Sequence, residues 1–93
     1  MNFASLYNYY ESLVFNYITQ DLIERYPDQN EEFFLDVACY SLTRLPARYI
    51  RHEIDMFYYL APGEQEEMEK RVADTVDDAA VFIHERLNPK AAV

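Results

Sequence analysis

Four prolines, at positions 27, 46, 62 and 89, divide a chain that holds only one glycine into helix-length pieces. Proline lacks the amide donor that a helix interior needs and disfavours a helical residue before it, so each one marks a boundary. Residues 3 to 26 predict a long amphipathic helix. Phe3, Leu6, Tyr10, Leu13 and Tyr17 recur at three- and four-residue steps, and Val14, Ile18 and Leu22 widen the stripe. Pro27 stops it, and residues 28 to 30 form a turn. Asn30 is the expected N-cap of a second helix, with Glu31 and Glu32 in the first turn, where the helix dipole favours negative charge. That helix reads "EEFFLDVACYSLTRL". Phe34, Val37, Ala38, Ser41, Leu42 and Leu45 share one broad face, so it is expected to be the central, most buried element, ended by Pro46.

The piece "ARYIRHEIDMFYYLAP" fits two periods. Ile50, Ile54, Met56, Tyr58 and Leu60 fall on even positions, the spacing of a strand, while Ile50, Ile54, Phe57 and Leu60 fit a helix. Its β-branched and aromatic content favours an extended segment over part of 48 to 60. A strand there has no partner evident in the chain, so pairing with the same strand of a second subunit is expected. Pro62 suits the first turn of a third helix, whose seam is Met68, Val72, Val76, Ala79 or Ala80, Ile83 and Leu87. Asn88 and Pro89 stop it, and the "KAAV" tail is expected to fray.

The expected fold is mainly α: a small single domain over residues 1–93, with three longer helices and a short extended segment or strand after the second. Ninety-three residues leave no room for a second domain. A hydrophobic content of 51% argues against disorder despite a formal charge of −9. Nine Tyr and six Phe exceed what so small an interior holds, and half-buried Tyr suits interfaces, so a homodimer is expected.

The acidic balance opposes nonspecific binding to DNA and to anionic membranes, both of which need a basic face, so neither is expected as a partner. No run reaches membrane-span length, and "MNFASLYNYYESLVF" lacks the basic start of a signal peptide. A single cysteine, Cys39, fits a reducing compartment, so a cytoplasmic location is expected.

Catalysis is not expected. Cys39 sits in the helix taken as most buried and reads as a small hydrophobe. The pairs His52-Glu53 and His84-Glu85 lack a second ligand one helical turn away, so no metal site is expected. Asp77-Asp78 and Glu64 to Glu69 read as solvated helix faces. One glycine cannot build a glycine-rich phosphate loop. No cofactor is expected.

The distinctive stretch is "LTRLPARYI", residues 42 to 50. No acid lies between Asp36 and Glu53, yet Arg44 and Arg48 lie there, with Arg51 and His52 just beyond. Pro46 breaks the backbone between the two arginines, so their guanidinium groups are able to converge on one anion. Arginine's planar fork matches phosphate or the guanine edge, and Tyr49 offers a stacking face. The plainer alternative is that Arg44 and Arg48 tie the helix end to nearby carboxylates.

"DVACYSLTRLPARYI" resembles the signature of the ComFB late-competence protein family, an Asp-Val start followed by a small-residue helix and a Leu-Asn-Arg-Leu-Pro-x-Arg-Tyr turn. Leu42, Arg44, Leu45, Pro46, Arg48 and Tyr49 match as they stand, and Thr43 replaces the family's Asn. "YYESLVFNYI" is similar to the family's opening helix, and the resemblance spans roughly residues 6 to 60, more weakly the last helix. It implies a mainly helical homodimer that acts as a receptor for cyclic dinucleotide second messengers, chiefly cyclic di-GMP, and links them to motility, biofilm or competence. Arg44 or Arg48 would then contact phosphate or guanine, Tyr49 would stack, and Arg51 and His52 would add outer contacts. Some members carry a cysteine cluster before the Asp-Val, similar to a zinc site; here that place reads "NEEFF", so zinc does not carry over. A second reading is a dimeric helical adaptor that binds a protein partner through a Tyr-rich patch of Phe57, Tyr58 and Tyr59, without nucleotide.

Overall fold

The computed structural model describes residues 1–52 and 54–87. It is mainly helical, a small single domain with one two-stranded sheet. In chain order the elements are β1 (Tyr7–Asn8), α1 (Tyr9–Tyr17), α2 (Ile23–Arg25), α3 (Glu31–Arg44), β2 (Tyr49–Ile50), α4 (Asp55–Tyr59) and α5 (Glu64–Leu87). A π-helical turn, Ile18–Leu22, joins α1 to α2 without a break. The stop expected at Asn88-Pro89, the "KAAV" tail and Glu53 lie outside the described residues.

The first helix starts later than its apolar stripe predicts. Phe3–Ser5 is a 3-10 turn, Phe3 and Leu6 are exposed, and α1 begins at Tyr9. Asn8 decides this. Its side-chain oxygen accepts from the Tyr10 N–H at 3.2 Å, and the Glu11 carboxylate accepts from the Asn8 N–H at 3.2 Å, so the two cap each other reciprocally. At the far end Thr19 sends its hydroxyl back to the carbonyl of Phe15 at 3.0 Å, and the Ile23 N–H reaches the Ile18 carbonyl, five residues back. The buried stripe is Tyr10, Val14, Ile18 and Leu22.

Asn30 caps α3 as expected, accepting from the Phe33 N–H at 3.2 Å. The helix is not buried all round. Phe33, Val37, Ala38 and Ser41 face the core, while Leu35 is 54% exposed and Asp36 and Thr43 are also outside. Phe34 and Leu42, expected in the core, are half-buried, because their positions lie at the edges of the apolar arc. Cys39, expected to be a buried hydrophobe, is exposed on that outer face. The Ser41 hydroxyl is fully buried and has no hydrogen-bond partner among the described residues.

The 48–60 piece is neither one strand nor one helix. Only Tyr49–Ile50 is a strand, and α4 takes up the helical spacing instead. The strand does have a partner in its own chain: β1 and β2 pair antiparallel, Tyr7 opposite Ile50 and Asn8 opposite Tyr49. Pairing across subunits is therefore not needed to satisfy it. Pro62 lies in the turn ahead of α5 rather than in its first turn, and Gly63 supplies that turn's positive φ of 82°. Met68, Val72, Val76, Ala79 and Ala80 then form a buried seam, with Ile83 half-buried beyond it. α5 packs across α3 and α1 to close one core, which Leu45, Ile50 and Met56 cap at the sheet end.

Candidate functional site

The corner singled out in the sequence is built by main-chain bonds. Asn8 is buried, and the oxygen that caps α1 also accepts from the Arg48 N–H at 2.8 Å. The Tyr9 N–H donates to the Arg48 carbonyl at 2.7 Å. Arg48 is thereby fixed by its backbone to the start of α1. Ile50 is buried beneath it, and the two-residue alternation of β2 turns Tyr49 outward, 64% exposed. Arg51 and His52 follow, both exposed.

Arg48 and Arg44 take different surroundings. Arg48 Nη2 lies 3.4 Å from Glu64 Oε1, and the same oxygen accepts from the Ala61 N–H at 3.3 Å ahead of α5. This is the carboxylate tie that the plainer reading of the sequence allows. A cleft of about 160 Å3 opens here, lined by Tyr10, Pro46, Arg48, Glu64, Glu67 and Arg71 among others. Arg44 does not line it. Its guanidinium carbon sits 5.6 Å from the centre of the Tyr40 ring, which stacks on Phe82 at 4.7 Å, and Arg86 covers the Phe82 ring at 4.6 Å. The second arginine of the cleft is thus Arg71, from the first half of α5, and sequence spacing gave no signal for it. Asn8 was equally hidden: it falls inside the helix that the apolar stripe predicts, and nothing in the sequence ties it to a residue forty positions on.

Among the described residues, Arg25, Arg48 and Lys70 form ion pairs, with Asp77, Glu64 and Asp74, whereas Arg44, Arg51, Arg71 and Arg86 form none. Unpaired arginine in so acidic a chain is a local anion site in prospect. Among the described residues no group of three His, Cys, Asp or Glu could hold a metal ion. His84 packs beside the rings of Tyr26 and Phe33. No helix of the described residues is long and apolar enough to cross a membrane.

Below the sheet end Phe57, Tyr58 and Tyr59 are 85%, 78% and 74% exposed, a run of three aromatic side chains on α4. Away from the corner, Tyr17 donates to Asp77 at 2.7 Å, and Arg25 donates to both. Burial, then the Asp77 hydrogen bond, raises the Tyr17 phenol above its ordinary value, and the bond to Asp77 raises Arg25.

The family described as "Late competence development protein ComFB" matches residues 7–87, from β1 to the end of α5. The chain belongs to the ComFB family. Comparison with curated proteins finds no match, and comparison with solved structures finds none either. As a ComFB protein the chain falls in a competence-related regulatory family. The ComFB match takes in the whole "LTRLPARY" corner together with Asn8 and Arg71, the two residues that complete it.

Proposed function

We propose that this ComFB protein is a non-enzymatic, cytoplasmic receptor for a cyclic dinucleotide second messenger, cyclic di-GMP before others, and that it acts as a homodimer. The observation that carries the reading is the pair Arg48 and Tyr49. Their backbone is fixed by Asn8 and β1, Tyr49 is turned outward with exposed Arg51 and His52 beside it, and Arg48 meets a ligand by exchanging Glu64 for its phosphate. Arg48 and Arg71 hold one phosphate, Tyr49 stacks a base, and Arg44 reaches the second half of the ligand from the end of α3. The cleft of about 160 Å3 is smaller than the roughly 300–1,000 Å3 of a full ligand pocket, so it takes a phosphate while the bases lie on the surface outside it. Two such corners related by a dimer axis match the two-fold symmetry of the ligand.

The energies are adequate. Micromolar affinity needs about −8 kcal/mol. Stacking gives about 1–3 kcal/mol per base, and each charge-assisted hydrogen bond about 1.5–3 kcal/mol before ordering costs. One corner supplies about half of the total. The acidic remainder of the surface repels longer nucleic acids.

Isothermal titration calorimetry with cyclic di-GMP, with cyclic di-AMP and GTP as controls, tests the reading. Micromolar binding of a cyclic dinucleotide and not of GTP is the expected result. Arg48→Ala keeps both main-chain bonds to the start of α1, so it should weaken binding at least about tenfold, the loss of one charged hydrogen bond, with unchanged circular dichroism. Absence of heat at two temperatures with folded protein overturns it. The second reading, a helical adaptor without nucleotide, is favoured by the exposure of Phe57, Tyr58 and Tyr59 and predicts partner loss on Tyr58→Ala or Tyr59→Ala.

A further inference from the structure

An apolar opening lies on another part of the molecule from the arginine corner. It is a groove of about 520 Å3 between the end of the first helical run and the first half of α3. Phe15, Ile18 and Ile23 line one side, and Phe34, Leu35 and Ala38 the other. Phe15, Ile23 and Leu35 are large apolar side chains left exposed, whereas the rest of each helix turns its apolar stripe inward. The groove spans residues 31 to 38 of α3, about 10 Å of helix axis, the length over which two turns of a partner helix make contact.

The charges around it say what kind of helix fits. Glu31 is its one charged lining residue, and no Lys or Arg lines it. Glu24, Asp28, Glu32 and Asp36 are exposed neighbours of lining residues. Arg25, the only cation between residues 15 and 38, is drawn away by its ion pair with Asp77. A second copy of this chain is a poor occupant, because it brings the same formal charge of −9, and α5, its longest helix, carries Glu or Asp through most of its length. Like charges brought across a partly desolvated rim repel.

We propose that this groove receives an amphipathic helix of a different protein, with an apolar stripe at i, i+3 or i+4 and i+7 flanked by Lys and Arg. The stripe replaces water over Phe15, Ile23 and Leu35, and the flanking cations meet the carboxylates of the rim. The inference stands on the groove alone and does not depend on nucleotide binding at the Arg48 corner. If both hold, α3 joins the two sites: its first half lines the groove and its last residue is Arg44.

Fluorescence anisotropy with a labelled Leu/Lys helical peptide of about 15 residues, about seven for the groove and about a turn beyond at each end, tests it. Its controls are a scrambled peptide of the same composition and a version with Glu for Lys. The helical Leu/Lys peptide should bind at least about tenfold more tightly than either control, the worth of burying one leucine side chain. Leu35→Asp and Ile23→Asp change exposed positions, so the fold, checked by circular dichroism, should hold. Each should weaken binding about tenfold even though it adds a carboxylate that attracts the peptide. Equal binding of the scrambled peptide, or binding indifferent to both variants, overturns the proposal. So does a dimer in sedimentation velocity that Leu35→Asp dissociates, which would show a second copy seated in the groove.

Discussion

Asn8 does more than any other single side chain to set the geometry of the corner. One oxygen serves two donors, the N–H of Tyr10 in α1 and the N–H of Arg48 ahead of β2. Asn8→Ala leaves both without a side-chain acceptor, one of them within 3 Å of it in the native corner. The lost cap and the unsatisfied donor together should cost about 2–3 kcal/mol, read as a lower urea midpoint at unchanged slope. Asn8→Asp, which keeps the acceptor, should lose clearly less. Glu64 is the counterpart on the ligand side. Its carboxylate already holds Arg48, so an incoming phosphate must displace it. Glu64→Gln keeps an oxygen for the Ala61 N–H and removes the competing charge. Because the pair is about one-third exposed, its worth is at most about 1 kcal/mol, and cyclic di-GMP affinity should rise about two- to fivefold by calorimetry. Unchanged affinity would show that the ion pair does not guard the site.

The elements show where local signals hold and where they yield. α3 was legible from end to end, because Asn30 supplies a side-chain cap and Pro46 an unavoidable stop. The outer face of the same helix was not legible. Leu35 and Cys39 look like core residues in a sequence window, and only the placement of α1 and α5 on the other side leaves them in water. The start of α1 differs from the expected one because Phe3 and Leu6 continue the apolar period, while Asn8, one polar residue, caps the helix and sets its first turn at Tyr9. At α5 the turn depends on the backbone of Gly63, with φ of 82°. A Cβ placed there meets nothing within 4 Å, so Gly63→Ala carries only the backbone penalty. That penalty is about 1–2 kcal/mol. Chemical denaturation should show that loss, and Gly63→Asn, which tolerates the left-handed region better, should show less of it.

At the scale of the whole molecule, the first helical run is bound to α5 by Tyr17, Arg25 and Asp77 as well as by the core. The Tyr17 phenol is raised above 10.0 chiefly by burial, so its protonated form is the one the fold favours. The sign follows. The contribution is fully present below the unfolded value near 10 and is lost as pH rises through the folded value above it. Urea unfolding between pH 9 and 11.5 should therefore show a stability decline that is shallower in Tyr17→Phe, a window set by the ordinary tyrosine range. An identical decline in both proteins would remove Tyr17 from the account. The sequence by itself determined the helical class, the boundaries at Pro27 and Pro46, the cap of α3 and the buried part of the α5 seam, because those depend on neighbours within a turn or two of the chain. It also determined that Arg44, Arg48, Tyr49, Arg51 and His52 lie close along the backbone around one break. Only the tertiary structure decided that β2 pairs with β1, that Arg48 pairs with Glu64 and lines one cleft with Arg71, that Arg44 lies on Tyr40, and that Leu35 lines an apolar groove. Apart from the Arg44–Tyr40 contact, a single helical turn, those joins depend on residues from about a dozen to more than forty positions apart. Chain periodicity carries no information at that range; packing does.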